Sequence, residues 1–477
     1  MVNALLRKEI HNHILSFRFS AVFVMLLVIV PATVLILTND TIRKQDEFSR
    51  RQTEIQNYLS RYAHFNRLAN VIQPSQPPLP FYALVRGLSA DMNMNTFDND
   101  PLPIMFPMID LTFILAILLS LAALIFSYDA ISGEKEDGTL KLMLANGISR
   151  SKIILAKIVG CVATLLIPFL LSLAVGMLFL LFNPRVAWKG SDWGALAMIL
   201  LGALIYLGFF SGLGILISSR HAASSSSILT SLFVWVLFVL VVPNLSPYVA
   251  SLLRPTPSVI KIGREVDRLT DVDRDDLGRR LEKEKSAALL KTYPVLESVS
   301  RMSEAEIKTK ITQNPEFDRA YALLRKEREA AWREANVIQG AKADVLREDR
   351  NKKEAAQTRL SIGLSMISPL AAFTYLTADL SNTGRRNQTH FETLSKAWWR
   401  SYGEYMDRRM ESMRRENPTM DLWNTAVDVR DMPRFAYKEE DLAARIKGVS
   451  GPLLLLIGLT LAVFAAAYAS FIRYDAR

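Results

Sequence analysis

Residues 158–182 read IVGCVATLLIPFLLSLAVGMLFLLF, a stretch without one charged side chain. At about 1.5 Å of rise per residue, a helix of this length crosses the ~30 Å hydrocarbon core of a bilayer. Phe19 to Leu37 and Leu453 to Ile472 are runs of the same kind. The chain has 477 residues, and its 50% of hydrophobic residues are segregated from its 22% of charged ones, as a membrane protein requires. The spanning segments expected are 17–38, 104–127, 158–182, 194–218, 228–253 and 449–472. Lipid leaves no backbone group unpaired, so these are helices, and the fold class is all-α: a polytopic membrane protein with six transmembrane helices and a helical extracytoplasmic domain.

Six crossings put both termini on one side, and the basic residues say which. Arg7, Lys8 and Arg18 at the first span, Lys135, Lys141, Arg150, Lys152 and Lys157 between the second and third, Arg220 between the fourth and fifth, and Arg473 and Arg477 after the last share one compartment. The positive-inside rule makes it the cytoplasm. The opposite side then receives 39–103, the turn 183–193 with Trp188 and Trp193, and the long stretch 254–448. The net charge of +10 has no basic stripe interleaved with aromatics, so nucleic acid is not an expected partner. The single Cys161 lies in an apolar run and excludes an intrachain disulfide or a cysteine metal site, and His11 and His13 have no companion ligands nearby. The first apolar run lacks a small-residue cleavage site and reads as a retained helix.

Outside the membrane, Ile55, Leu59, Tyr62 and Phe65 mark an amphipathic helix that stops at Pro74, Pro77, Pro78 and Pro80. Ser303 to Glu306 is a capping box, and Asn314-Pro315 is a second helix start. Phe317, Tyr321, Leu324, Ile338 and Val345 form one stripe of a helix continuing to about 358, roughly 65 Å long. Ser361 to Leu380 is mostly apolar but carries Pro369 and several hydroxyls; it is expected to lie at the outer membrane surface or beneath the external domain rather than to form a seventh span.

Between the second and third spans the chain reads YDAISGEKEDGTLKLML over residues 128–144, then ANGISRSK to Lys152, with Lys157 at the next span. The short helix with Leu140, Leu142, Met143 and Leu144, preceded by acidic groups and Gly138-Thr139, offers an apolar edge and a charged flank to a partner's groove. Thr139 can cap its first turn, and Glu134 and Glu136 can pair with basic residues. This loop resembles that of the ABC-2 permease family, with its type V exporter fold: Ser-Gly-Glu-x-Glu-x-Gly-Thr-Leu, a leucine-rich helix, a Ser-Arg turn, and a lysine before the next span. The resemblance implies a coupling helix that contacts a separate ATPase subunit, the role falling to Glu134, Glu136, Gly138, Thr139 and Leu140, with Leu144 in the helix and Ser149 and Arg150 in the turn. It also implies that Met1 to Phe17 (segment 1–16) is the family's amphipathic connecting helix. Pro77-Pro78-Leu79-Pro80 leading to Val85-Arg86-Gly87-Leu88-Ser89, Pro243 and Arg254-Pro255-Thr256-Pro257-Ser258 are similar to a bacterial subgroup with large external insertions, domain of unknown function 3526. The insertion of about 195 residues before the last span is the departure from simpler members.

Gly133 and Gly138 have the spacing of a phosphate loop, yet Thr139-Leu140 stands where Lys-Ser/Thr is required. ATP and Mg²⁺ are therefore expected on the partner ATPase, with no catalytic residue, cofactor or metal assigned to this chain. Further expected partners are a second permease chain, identical or similar, membrane lipid, and a periplasmic partner, all at the bacterial cytoplasmic (inner) membrane. Asp110, some six residues into the second span, is the candidate intramembrane functional residue, the alternative being a structural pairing with an external Arg or a helix terminus. Tyr206, Trp235 and Asn244 read as packing and interhelical hydrogen bonding. No Ser-His-Asp, His-Glu-x-x-His or paired intramembrane carboxylates point to an enzyme. The resemblance implies an ATP-driven exporter subunit; the alternative is a mechanotransmitter passing ATPase motion to an envelope partner.

Overall fold

The computed structural model describes residues 2–61, 63–64, 68, 72–87, 109–145, 149–416, 425 and 427–472. Residues 104–108 of the expected second span, Tyr62, Phe65, Leu88, Ser89, the turn 146–148, Arg473 and Arg477 lie outside the described residues. The described residues are helical, with no strand among them. Among the described residues six helices are long and apolar enough to cross a membrane: Phe17–Ser60, Leu111–Glu136, Arg150–Leu181, Gly190–Arg220, Ser224–Leu253 and Ser450–Ile472.

In chain order, α1 is Val2–Ile14 and α2 is Phe17–Arg61. The helix that carries the first span continues past 38 to Arg61, because nothing between the apolar run and the amphipathic Ile55–Leu59 stretch breaks it. The second span, α3, joins Leu111–Phe113, a wider π-turn Ile114–Leu119, and Ser120–Ser127. Two short helices follow, α4 Ser132–Glu136 and α5 Thr139–Ala145. The third, fourth and fifth spans are α6 Arg150–Leu181, α7 Gly190–Arg220 and α8 Ser224–Leu253, the last with a π-turn at Val236–Val241. The chain divides into two compact units, Met1–Pro243 with Ser365–Arg477, and Asn244–Leu364. Residues 254–448 thus do not close on themselves as one body.

In the first unit, the core runs from Leu26 and Val30 of α2 through Leu119 and Phe126 of α3, Leu165 and Phe169 of α6, and Tyr206 and Phe210 of α7. Helix α12, Pro369–Leu380, is embedded in it. Its 12 residues rise about 18 Å, short of the ~30 Å needed to span. Phe373 stacks on Tyr206 at 4.7 Å between ring centroids, and the Ser368 hydroxyl donates to the Phe238 carbonyl in the π-turn of α8. Segment 361–380 is therefore the last turn of α11, a break at 366–368 and a short helix packed in the core of the first unit, and its hydroxyls serve the neighbouring helices. Beyond α12, α13 (Arg385–Glu416) places Trp398, Tyr402 and Tyr405 against Val427, Val429 and Met432, with Leu59 of α2 at the edge. Helix α14, Leu442–Gly448, leads into α15, Ser450–Ile472, the sixth span.

The second unit is a helical hairpin. Its first arm, α9, runs Val259–Asp267, through a π-turn, to Arg274–Thr292; α10 is Glu304–Gln313, and α11 (Pro315–Ser365) is the return arm. Ser303 and Glu306 form the expected capping box, and the Asn314 side chain accepts the Glu316 and Phe317 amides. The arms are joined by Glu282–Arg328 at 2.7 Å, Trp332 to Glu282 at 3.2 Å, and Lys285–Glu334 at 2.7 Å. The expected apolar stripe holds only at its start. Phe317 and Leu324 are buried, but Ile338 and Val345 are exposed, and the buried line continues through Ala331, Ala335, Gln339 and Ala343. Ala320 and Ala331, and Leu324 and Ala335, are eleven apart. Eleven residues run about 20° past three turns and seven fall about 20° short of two, so the buried line leads the axis where the expected stripe lags it.

Candidate functional site: the loop between the second and third spans

The loop is anchored residue by residue. The amides of Ile131 and Ser132 donate to the Ser218 hydroxyl at 3.0 and 2.9 Å. Lys135 donates to the carbonyls of Ser219 at 2.6 Å and His221 at 3.1 Å, where the end of α7 leaves acceptors unpaired and a cation suits the helix dipole. One residue on, the Glu136 carboxylate accepts the backbone amide of Ser224 at 3.0 Å and its hydroxyl at 2.7 Å, at the start of α8. Adjacent residues of opposite charge thereby hold the end of the fourth span and the start of the fifth. Gly138, at φ +71°, makes the left-handed turn between α4 and α5 that a side chain would resist.

Helix α5 has two faces. Leu140 and Met143 are buried with Ile131, Ile153, Ile154, Ile215 and Phe471. On the other side Thr139 and Lys141 are exposed, and Leu142 stands 67% exposed. Thr139 donates to the Glu134 carbonyl at 3.5 Å. Leu144 belongs to α5 by its backbone, and its side chain lies outside the described residues.

Glu134 points inward. Its Oε1 is 2.9 Å from Lys157 Nζ and 3.5 Å from Lys8 Nζ, and Lys157 also meets Glu9 Oε1 at 3.1 Å. Lys157, Glu9 and Glu134 side chains are 4%, 10% and 15% exposed, so one ammonium sits between two carboxylates from different elements, little screened by water. Gly160 permits this approach, because a Cβ there would stand 3.0 Å from the Glu9 Cβ. A second tie sits at the α1–α2 elbow, where Arg18 bonds Asp129 and the Tyr128 hydroxyl, both at 2.8 Å. Burial holds His13, on the last turn of α1, below the ordinary histidine range.

The remaining sequence-selected residues are held in the fold. Arg150 donates to the carbonyls of Phe471 and, at 2.8 Å, Ile472, closing the end of α15. Ser149 takes the N-cap position of α6 with no side-chain cap bond, and it is exposed. Asp110 stands at the cap of α3, ahead of the spanning helix, and its carboxylate accepts the amides of Phe113 at 2.7 Å and Arg86 at 3.2 Å. Tyr206 donates to the Ala116 carbonyl at 2.8 Å and Trp235 to the Ser120 hydroxyl at 2.9 Å, while Asn244 is exposed. Sequence reasoning missed the Glu9–Lys157–Glu134 cluster and the outward Leu142. A lysine at a span's foot reads as topology, and its carboxylate partners lie 148 and 23 residues away.

Comparison with known proteins agrees with this layout. Two relatives, each named "Probable ABC transporter permease protein NosY", are 32% identical: that of Stutzerimonas stutzeri over 124 residues, 26% of this chain and 45% of the relative, and that of Pseudomonas aeruginosa over 130 residues, 27% and 47%. The chain thus spans less than half the length of the curated relatives it matches. The family described as "ABC-2 family transporter protein" matches residues 3–476. With its multi-pass helical fold, the chain belongs to the ABC-2 family of transporter proteins.

Proposed function

We propose that this chain is the permease subunit of an ATP-driven exporter, with both termini in the cytoplasm of a bacterium and the protein in its inner membrane. A separate ATPase subunit binds ATP and Mg²⁺ and docks on α5, and a second permease chain completes the pathway. One observation carries the reading: Leu142 is exposed on a short helix whose opposite face is locked into the bundle. A body docked at Leu142 pushes on α5. Through Leu140 and Met143 that push reaches α6, α7 and α15; through Glu134 it reaches Lys157 and α1; through Lys135 and Glu136 it reaches the junction of α7 and α8. In this reading Leu142, Lys141 and Thr139 make the contact, while Glu134, Glu136, Leu140 and Arg150 transmit it.

The test is Leu142→Asp, which keeps the buried face intact. Co-purification with the cognate ATPase and permease-stimulated ATP turnover are expected to fall at least tenfold, since burying an unpaired carboxylate in an apolar contact costs well over 1.4 kcal/mol. Unchanged complex formation and turnover would place the docking surface elsewhere.

A second reading is favoured by the separate helical unit Asn244–Leu364: ATPase motion is passed to an extracytoplasmic partner with no solute moved. Reconstituted vesicles containing the ATPase separate the two. ATP-dependent movement of a lipid, peptide or ion excludes pure transmission, whereas turnover without movement of any tested solute weakens the exporter reading.

A further inference from the structure

The third, fourth and sixth spans enclose a lateral groove of about 500 Å³, walled by Val159, Val162, Leu166 and Leu170 of α6, Leu204 and Gly208 of α7, and Leu461 of α15. Thr460 supplies the groove's hydroxyl, and that group already donates to Leu456 O at 2.8 Å and Ile205 O at 3.2 Å. The wall therefore offers an occupant hydrocarbon contact alone.

Dimensions decide what fits. Along α6 the groove runs from Ile158 to Leu170, about 18 Å at 1.5 Å per residue, close to the ~15 Å of a single leaflet's hydrocarbon. Its volume over that length gives a mean cross-section of about 28 Å², the scale of one extended hydrocarbon chain rather than of a whole helix about 10 Å across. A single methylene chain, with wall carbons about 4 Å from its own, fills it. The charge at the mouth agrees. Below Val159 the same face of α6 carries Leu155 and then Lys152, both exposed, with Lys152 about 9 Å below Ile158 along the axis, at headgroup level.

We infer that this groove holds one acyl chain of an anionic phospholipid, with its phosphate at Lys152. Lipid tails are as apolar as the wall, so the chain is retained by packing and by the headgroup rather than by escape from water. Naming the cytoplasmic leaflet rests on the orientation proposed above; the groove and its occupant do not rest on ATPase coupling.

The experiment is native mass spectrometry of the full chain released from mild detergent. The wild type is expected to retain one phospholipid. Ala163 of α6 also lines the groove, so Ala163→Phe fills it and is expected to lose the lipid, and Lys152→Gln to lower retention of anionic lipid about fivefold, the worth of one surface lysine to an acidic headgroup. Far-UV circular dichroism and gel filtration certify that each variant folds, and Ala163→Leu, a smaller filling, keeps the test available if the phenylalanine variant does not. Retention of the same lipid by folded Ala163→Phe or Ala163→Leu overturns the site. So does a wild type that holds only exchangeable detergent, or a filling variant that changes the oligomeric state and not the lipid count.

Discussion

Replacing Lys157 with methionine tests the buried cluster at the base of the third span. The Glu9 and Glu134 oxygens lie 3.1 and 2.9 Å from the same ammonium, so they are no more than about 6 Å apart. Two carboxylates at that separation repel by about 3 kcal/mol at an effective dielectric constant of 20, before the loss of each ion pair is counted. Removing one partner of a buried pair typically costs about 3–5 kcal/mol, so Lys157→Met is expected to lose that much. Lys8, 43% exposed and 3.5 Å from Glu134, is too well solvated to replace it. The triple variant Lys157→Met, Glu9→Gln, Glu134→Gln removes all three charges and is expected to come within about 1 kcal/mol of wild type, since neutral replacement of a buried cluster is often tolerated. The assay is reversible unfolding in mixed micelles followed by far-UV circular dichroism. A Lys157→Met loss under about 1 kcal/mol, or a triple variant no better than the single, refutes the reasoning.

Other perturbations probe the remaining ties. Glu136→Ala removes the acceptor for Ser224 and is expected to speed hydrogen exchange in the first turn of α8 alone; unchanged exchange there would deny the cap. Arg150→Ala frees the last carbonyls of α15, and exchange at 467–472 should quicken while α7 is unchanged; uniform protection would deny the latch. Ala335→Leu overfills the hairpin and is expected to cost about 1–3 kcal/mol, against less than 0.5 kcal/mol for Val345→Ala; a reversed order would restore the stripe through Ile338 and Val345. Tyr206→Phe leaves the stacking on Phe373 and deletes only the hydroxyl, so a loss of about 1 kcal/mol is expected, and a loss above 3 kcal/mol would mean that the π-turn of α3 collapses.

Six spans were legible because lipid tolerates no charge over about 20 residues, a constraint written in each segment alone. Helix α12 was not, since its length and composition suit a surface helix as well as one packed within the bundle; the fit of Phe373 on Tyr206 decides for the bundle. In the hairpin, large residues drew the stripe toward Ile338 and Val345, whereas the close contact is made by alanines, whose small size is the signal. The loop 128–157 was identifiable by its pattern, but not the destinations of its charges. Glu136 and Arg150 look like residues awaiting a partner and instead cap helices from elsewhere in the chain. Leu142, one apolar residue among several, differs from Leu140 only by the direction it faces.

The eleven-residue spacing on α11 has a consequence for how such a protein changes length. Eleven residues close nearly three whole turns, so a block of that size added to each arm returns the alanine line to the same side of the hairpin. Each block adds about 16 Å of reach and leaves the apolar cluster at the tip, built on Phe317 and Leu296, as it was. A four-residue insertion would swing the tip by about 40° about the axis and turn its buried face toward solvent. Lengths of relatives that carry this hairpin should therefore differ by paired blocks that nearly close whole turns, about 14, 22 or 36 residues over the two arms, rather than by a pair of four-residue blocks.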